Sequence, residues 1–263
     1  MNKQKIIIYA NQLAEAQENM KAISAISGID QDFTIDDAYA VQMENVVRQL
    51  NSGDSICGKK IGLTSLPMQQ MLNVNEPDYG HLFESMNIKD GKIESSSLLQ
   101  PKIEAELAFI LKSDLSGGNV TVKDVIVATD YVVAAFEIVA SRVADWKIKL
   151  VDTVADNASS GCFVLGSKKI AISDVDLITT HMKLYKIIDG KDVLINEGYG
   201  SAVLNDPKIA VAWLANKLWN YGVTLQAGEI VLSGAFSAAP PAVKGEKFKA
   251  VFTDFGTVEA EFV

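Results

Sequence analysis

The sequence predicts an α+β fold in which an N-terminal helical layer precedes a β-rich body, and three observations carry that reading. The first fifty residues place apolar side chains at helical spacing. After Asp54 the chain breaks into short apolar runs punctuated by Gly, Pro, Asn and Asp. Two of those runs, 101–111 and 132–140, are apolar enough to be strands covered on both faces. At 263 residues with 48% apolar content, the chain can bury a sizeable core. The change of texture divides it into a helical region, 1–54, packed on a mixed β-rich domain, 55–263, with the two expected to form one structural unit. No repeat, linker or low-complexity segment interrupts it.

Composition excludes several classes of function. A formal net charge of -9 leaves no general basic face for nucleic acid or an anionic membrane surface. The apolar block Ile6–Ala10 is too short for a signal segment, and no run approaches a membrane span. Cys57 and Cys162 fit neither a zinc nor a CxxC spacing and indicate no disulfide framework, so a reducing cytoplasm is the expected setting.

Taken in order, residues 2–26 read as a helix through Ile7, Leu13, Ala16, Met20 and Ile23, closed by Gly28. A second begins at Thr34–Asp37, with acids in its first turn, and runs through Tyr39, Val41, Val46, Val47 and Leu50 to Gly53. Residues 55–63 are the first strand and carry Lys60; they are not a phosphate-binding loop, because the glycine spacing and following helix are absent. Residues 66–72 read as a short helix or turn, and 75–82 as a loop leading into a strand. Pro77-Asp78-Tyr79-Gly80 reads most simply as a turn within it. Asp90-Gly91 is another turn before the 101–111 strand. A helix over 121–130 precedes the 132–140 strand, and the polar cluster within 145–161 reads as a loop over a site. Strands follow at 162–165, 181–188 and 192–196, the last two joined by Asp189-Gly190-Lys191 as a hairpin turn. Asp206-Pro207 caps and opens a helix through Ala210, Leu214 and Leu218 that ends at Gly222, with Trp213 and Tyr221 as packing residues. Strands at 228–233, 247–253 and 257–263 complete the chain, the last two joined at Asp254-Phe255-Gly256.

The chemistry sits in the two most apolar strands. Alternation puts Glu104, Glu106, Ala108 and Ile110 on one face of the first, and Glu137 interrupts the second. Like charges in such surroundings repel and lose hydration, so something must compensate them. A hard divalent cation does so with oxygen ligands alone, and a set without His or Cys indicates Mg2+, Mn2+ or Ca2+ rather than zinc. The plain alternatives are a wet edge strand for Glu104 and Glu106, and a salt bridge from Glu137 to Arg142.

Several stretches together resemble the 2-keto-4-pentenoate hydratase and 4-oxalocrotonate decarboxylase branch of the fumarylacetoacetate hydrolase superfamily. They are Lys60-Ile-Gly-Leu-Thr-Ser65, Pro77-Asp-Tyr-Gly80, Pro101-Lys-Ile-Glu-Ala-Glu106, Glu137 with Ser141-Arg142, Val151-Asp-Thr-Val-Ala-Asp-Asn-Ala-Ser159 and Gly228-Glu-Ile-Val-Leu-Ser-Gly-Ala235. The likeness runs from about residue 34 onward, and Pro77–Gly80 with Arg142-x-x-Asp-Trp146 is closer to the hydratases. It implies a mixed β-roll with peripheral helices and a Mg2+ or Mn2+ held by Glu104, Glu106 and Glu137. It also implies a small 2-oxo or 2-hydroxy dienoic acid as substrate, with Lys60 and Asp78 as acid and base. A lysine beside a metal is expected to have a lowered pKa. Ser160, Ser233 and Gly234 are implied substrate contacts, whereas Arg142, Asp152 and Asn157 are expected to make structural hydrogen bonds. An apolar, strand-rich surface and modest size lead to the expectation of a homo-oligomer, with association with a downstream aldolase or related decarboxylase as a further expected partner.

The superfamily's carbon–carbon hydrolases generally use a His-containing dyad, and only His81 and His181 are present, neither in a suitable context. The rival readings are a decarboxylase on the same scaffold, which would need a further basic group for a dicarboxylate, and a non-catalytic metal-binding partner protein.

Overall fold

Two mixed sheets organise the computed structural model, which describes residues 1–71 and 73–263. In chain order the strands are β1 (Ile56–Gly62), β2 (Asp78–Phe83), β3 (Lys92–Ile93), β4 (Lys102–Leu111), β5 (Thr129–Val139), β6 (Ser160–Leu165), β7 (His181–Ile188), β8 (Lys191–Tyr199), β9 (Ile230–Leu232), β10 (Lys247–Phe252) and β11 (Gly256–Phe262). The helices are α1 (Lys3–Glu18), α2 (Ile26–Ile29), α3 (Ile35–Asn51), α4 (Leu66–Met71), α5 (Val122–Ala128), α6 (Leu150–Ala155) and α7 (Pro207–Trp219). One sheet runs β2-β1-β9-β4-β5-β6, with β1 and β9 parallel and the other pairs antiparallel; the second runs β3-β11-β10-β7-β8.

The six-stranded sheet curls until its outer strands approach. A Cβ on Gly80 of β2 would lie 2.4 Å from the Asn157 carbonyl and 3.0 Å from Ser160 Oγ at the start of β6. The Asn157 side chain closes this seam as a peptide group would: its Oδ1 accepts the His81 N–H at 2.7 Å and its Nδ2 donates to the His81 carbonyl at 2.9 Å. Within the curl, Leu82, Ala108, Val133, Ala135, Phe163, Ile230 and Leu232 form an apolar cluster. The opposite face joins one continuous core containing Leu13 and Ile26 from the N-terminal helices, Ile103, Leu107 and Phe136 from this sheet, and Phe248 and Phe262 from the other.

Most elements lie where their sequence signals place them, and the differences have local causes. Thr34 and Asp37 form a reciprocal capping box, and the terminal ammonium of Met1 lies 2.7 Å from Asp37. The first helix stops at Glu18 rather than continuing to residue 26. Met20 turns left-handed (φ 49°), the Lys21 N–H bonds the Ala16 carbonyl at 2.9 Å, and Ile23 is drawn into a bridge with Val143. Gly28 lies inside α2 and does not close α1. Asp78, Tyr79 and Gly80 are strand rather than turn: Asp78 pairs with Gly62 and Gly80 with Lys60, and all three are buried. The polar stretch 145–161 contains α6 and tight turns with Asp145, Trp146, Asn157, Ala158 and Ser159 at positive φ, more order than a loop implies. Leu72, the end of the short helix expected after β1, lies outside the described residues.

Replacing the seam-closing side chain by Asn157→Ala strands two backbone groups of β2. A loss of about 2–4 kcal/mol is expected, read as a lower urea midpoint at unchanged slope.

Candidate metal centre

The register of β4 against β5 builds the site. Glu104 lies directly opposite Glu137, so both side chains leave the sheet on the same side, and Glu106 follows two residues along. One carboxylate oxygen from each of the three lies within 4.8 Å of the others. Glu106 and Glu137 are completely buried and Glu104 is half-buried, so the cluster opens toward the N-terminal end of β4.

β1 and β2 add the remaining polar groups to this face. Lys60 pairs with Gly80 and with Leu232, and Asp78 with Gly62, so Lys60 and Asp78 also point into the curl. The Lys60 ammonium lies 3.0 Å from Glu137 Oε1. Gly62 brings the two strands' side chains together: a Cβ there would sit 2.2 Å from Asp78 Oδ1 and 3.5 Å from Lys60 Nζ. Glu106 Oε2 accepts the Gly234 N–H at 2.9 Å. Gly234 has φ +111°, and a Cβ would come within 2.2 Å of Thr64 Oγ1, so both conformation and space demand glycine.

The electrostatics of this cluster are those of a cation site. Burial is the largest influence on every acid in it. Burial pushes Glu137 up to about 7, with Lys60 pulling down and Glu104 adding to the rise. Glu106 goes well above the carboxylate range through burial and then repulsion from Glu137 and Glu104. Burial likewise raises Glu104 and Asp78, both opposed by Lys60, and Asp78 also by the Thr153 hydroxyl. Lys60 departs from the expected lowering. Burial pulls it down, but the summed attraction of Glu137, Asp78, Glu104 and Glu106 holds it above its ordinary value. Glu106 Oε1 and Glu137 Oε2 are buried without a hydrogen-bond donor. Three convergent carboxylates with unused lone pairs, and no nitrogen or sulfur ligand, fit a hard divalent cation such as Mg2+ or Mn2+.

The expected salt bridge from Arg142 to Glu137 is not formed. Arg142 reaches Asp156 instead, its Nε 2.5 Å from Oδ1 and its backbone N–H 3.0 Å from Oδ2, while Nη1 donates to the Ser160 carbonyl at 2.9 Å. This buried pair holds the turn leading into β6. Of the other implied contacts, Ser160 Oγ donates to the Asn157 carbonyl at 2.8 Å, and the Gly234 N–H is directed at Glu106. Ser233 Oγ is buried without a partner. Neither histidine approaches the carboxylates as a dyad: His81 Nδ1 lies 3.1 Å from Gln42 Oε1, and burial lowers its pKa to about 3, whereas His181 pairs with Glu197 at 3.1 Å. Asp152 takes the Ser27 N–H at 2.9 Å and hydroxyl at 2.6 Å, a structural tie between α2 and α6. A cavity of about 480 Å³ opens beside Asn157, Ser160 and Cys162, and the glutamates do not line it.

Gly62, Gly80 and Thr153 also shape the site, although no role for them is read from the sequence. The two glycines carried a usable signal, since each lies two residues from a candidate acid or base along a strand and therefore on its face.

Arg142→Met leaves Asp156 buried without its counter-ion. A destabilisation of about 3–5 kcal/mol is expected in urea unfolding, and a smaller effect at pH 3, where the unpaired acid is protonated.

The comparisons agree with this geometry. The family model described as fumarylacetoacetate (FAA) hydrolase, C-terminal, matches residues 65–263. A 2-hydroxyhexa-2,4-dienoate hydratase of Comamonas testosteroni is 41% identical over 264 residues, covering 99% of this chain and 98% of that protein. A 2-keto-4-pentenoate hydratase of Paraburkholderia xenovorans is 43% identical over 254 residues, covering 96% and 93%. Among solved structures, a 4-oxalocrotonate decarboxylase from Pseudomonas putida, complexed with magnesium and adipate, superposes with a TM-score of 0.95 at 33% identity, covering 100% of this chain and 99% of that one.

Proposed function

The chain belongs to the fumarylacetoacetate hydrolase family, and we propose that it is a metal-dependent hydro-lyase of the breakdown of aromatic compounds, adding water to a 2-hydroxy-2,4-dienoate such as 2-keto-4-pentenoate to give a 4-hydroxy-2-oxo acid. The observation that carries this reading is the convergence of Glu104, Glu106 and Glu137 beside Lys60 and Asp78 on one sheet face.

In this reading the three glutamates hold Mg2+ or Mn2+. When bound, the ion supplies a Lewis acid that favours negative charge on an adjacent 2-oxo or 2-hydroxy oxygen. The chain's own residues supply the rest. Ketonising a dienol and hydrating the resulting enone need proton transfers at carbon and at water, hence a fixed acid and a fixed base. Lys60, kept protonated by its acidic neighbours, is suited to donate; Asp78, a carboxylate held off ordinary solvation, is suited to accept. Gly62 lets the two lie side by side. The apolar cluster deeper in the curl keeps bulk water from the reacting carbons.

The decarboxylase reading has support in the 0.95 TM-score to that enzyme, and the hydratase reading in the higher identity to hydratases, 41% and 43% against 33%. A homo-oligomer belongs to the same reading, supported by Met43, Val47 and Leu50 exposed along one face of α3, as does association with a downstream aldolase or related decarboxylase. A cytoplasmic setting suits the two unpaired, buried cysteines. Among the described residues no helix is long and apolar enough to cross a membrane.

With Mg2+ present, 2-hydroxypenta-2,4-dienoate should lose its conjugated absorbance as water adds. Release of CO2 from 2-oxohex-3-enedioate with no hydration of the dienoate would overturn the assignment in favour of the decarboxylase. Lys60→Met and Asp78→Asn should each lower kcat by about a hundredfold or more while Mg2+ still binds; unchanged turnover in both would indicate a non-catalytic metal-binding protein.

Because burial raises the pKa of all three glutamates, a cation competes with protons for their oxygens. Mg2+ affinity should therefore rise by about tenfold or more from pH 5.5 to 7.5, spanning the value near 7 for Glu137. Calorimetric titrations in two buffers of different ionisation heat should show proton release, and a pH-independent affinity would count against carboxylate ligation.

A further inference from the structure

One cation at the mouth of the carboxylate cluster has no assigned role. Lys102 lies two residues before Glu104 on β4, so it stands on the same face, about 7 Å further along at the accessible end. Burial along that face increases from Lys102 and Glu104, both half-buried, to Glu106 and Ala108, which are fully covered. Lys102 thus stands beside the more accessible of the acids, at the N-terminal end of the row.

Its surroundings mark this lysine out. Lys59 is tied to Glu229 at 2.7 Å and Lys60 to Glu137 at 3.0 Å. Lys102 has no carboxylate within ion-pair distance among the described residues; its ammonium instead lies 4.2 Å from the centroid of the Trp146 ring. That ring is itself fixed, because Nε1 donates to the Gln100 carbonyl at 3.1 Å. A cation over an aromatic face keeps its hydrogen-bond donors uncommitted while its direction is set.

Charge balance supplies the reason for such a group. Glu104, Glu106, Glu137 and Asp78 with Lys60 leave three net negative charges, and a dication cancels only two of them. An anionic substrate would then enter a site still negative in sign, at low dielectric, where like charges are strongly unfavourable. One further cation at the mouth cancels that remaining charge, so the incoming acid meets a neutral site rather than a negative one.

We infer that Lys102, held on Trp146, is a substrate-binding residue that pairs with the carboxylate of the incoming 2-oxo acid. The inference rests on the proposed reading of the glutamates as a metal site for such acids. The role is in binding rather than proton transfer, so it is visible without turnover.

Pyruvate, a minimal 2-oxo acid, serves as the probe in calorimetric titrations of the Mg2+-saturated protein. Wild type should bind it, and Lys102→Met should bind it at least about tenfold more weakly. Lys102→Arg should remain within about threefold of wild type, and Mg2+ affinity in Lys102→Met should be no weaker than in wild type, since a nearby positive charge has been removed. Lys102→Gln, whose polar tip is tolerated at a half-exposed position, repeats the measurement should methionine perturb the packing on Trp146. Equal pyruvate affinity in wild type and the uncharged variants would overturn the inference, as would a parallel loss of Mg2+ affinity, which would make Lys102 a support for the carboxylates. Failure of wild type itself to bind pyruvate with Mg2+ present would instead overturn the underlying 2-oxo acid reading.

Discussion

The opposition of Glu104 and Glu137 across the β4–β5 ladder is the constraint on which the site depends. Like charges directly opposite one another on a sheet are destabilising, and here Glu137 is fully buried and Glu104 half-buried. The register that opposes them is imposed from the other face, where Ile103 meets Ile138, Ala105 meets Phe136, Leu107 meets Ala134 and Phe109 meets Val132, all deeply buried. A slip of one residue would turn that whole apolar row into the curl and the acids into the core. The hydrophobic effect thus holds two carboxylates where electrostatics alone would separate them.

A second set of constraints is steric and falls on glycines. Gly62 admits the Asp78 carboxylate beside Lys60, Gly80 admits the Asn157 turn against β2, and Gly234 passes close under Thr64 to offer its N–H to Glu106. Each marks a place where the backbone or a polar group must come nearer than any side chain permits. Behind the seam, Arg142 and Asp156 fix the turn from which Ser160 begins β6. The acids and the lysine are therefore supported by parts of the chain distant in sequence, which is how a site built on strands attains fixed geometry.

Much of this was legible before any coordinates. Period-two alternation placed Glu104 and Glu106 on one face, and the isolation of Glu137 in an apolar run marked it as anomalous. The capping signals at Thr34 and Asp206 and the turn signals at Asp189–Gly190 and Asp254–Gly256 act within a few residues, and the structure has a cap or turn at each. What failed was set by distant partners. Pro77–Gly80 carries turn residues, yet pairing with β1 makes 78–80 strand; Ile23 fits a helical stripe, yet a bridge to Val143 takes it away. Arg142 was nearest to Glu137 in sequence, but on a strand and its continuation, neighbours in sequence point apart, and Asp156 faces it instead. The pKa of Lys60 departs from the sequence expectation for a related reason: its neighbours on three other strands are acids, and their sum exceeds the pull of burial.

The same electrostatics link stability to activity. Burial and mutual repulsion raise the pKa of Glu104, Glu106 and Glu137, so protonation relieves the strain of their closeness. On the proposed reading a dication would relieve the same strain, so metal and hydrogen ion would compete for one set of oxygens. Replacing Glu104 by an apolar residue would relieve repulsion among the rest, whereas Glu137 also pairs with Lys60 and Glu106 also accepts the Gly234 N–H. Selection for stability alone would not retain three acids here, since a well-packed apolar triad would suit that face better. Their presence is therefore explained by chemistry at this face rather than by the needs of folding.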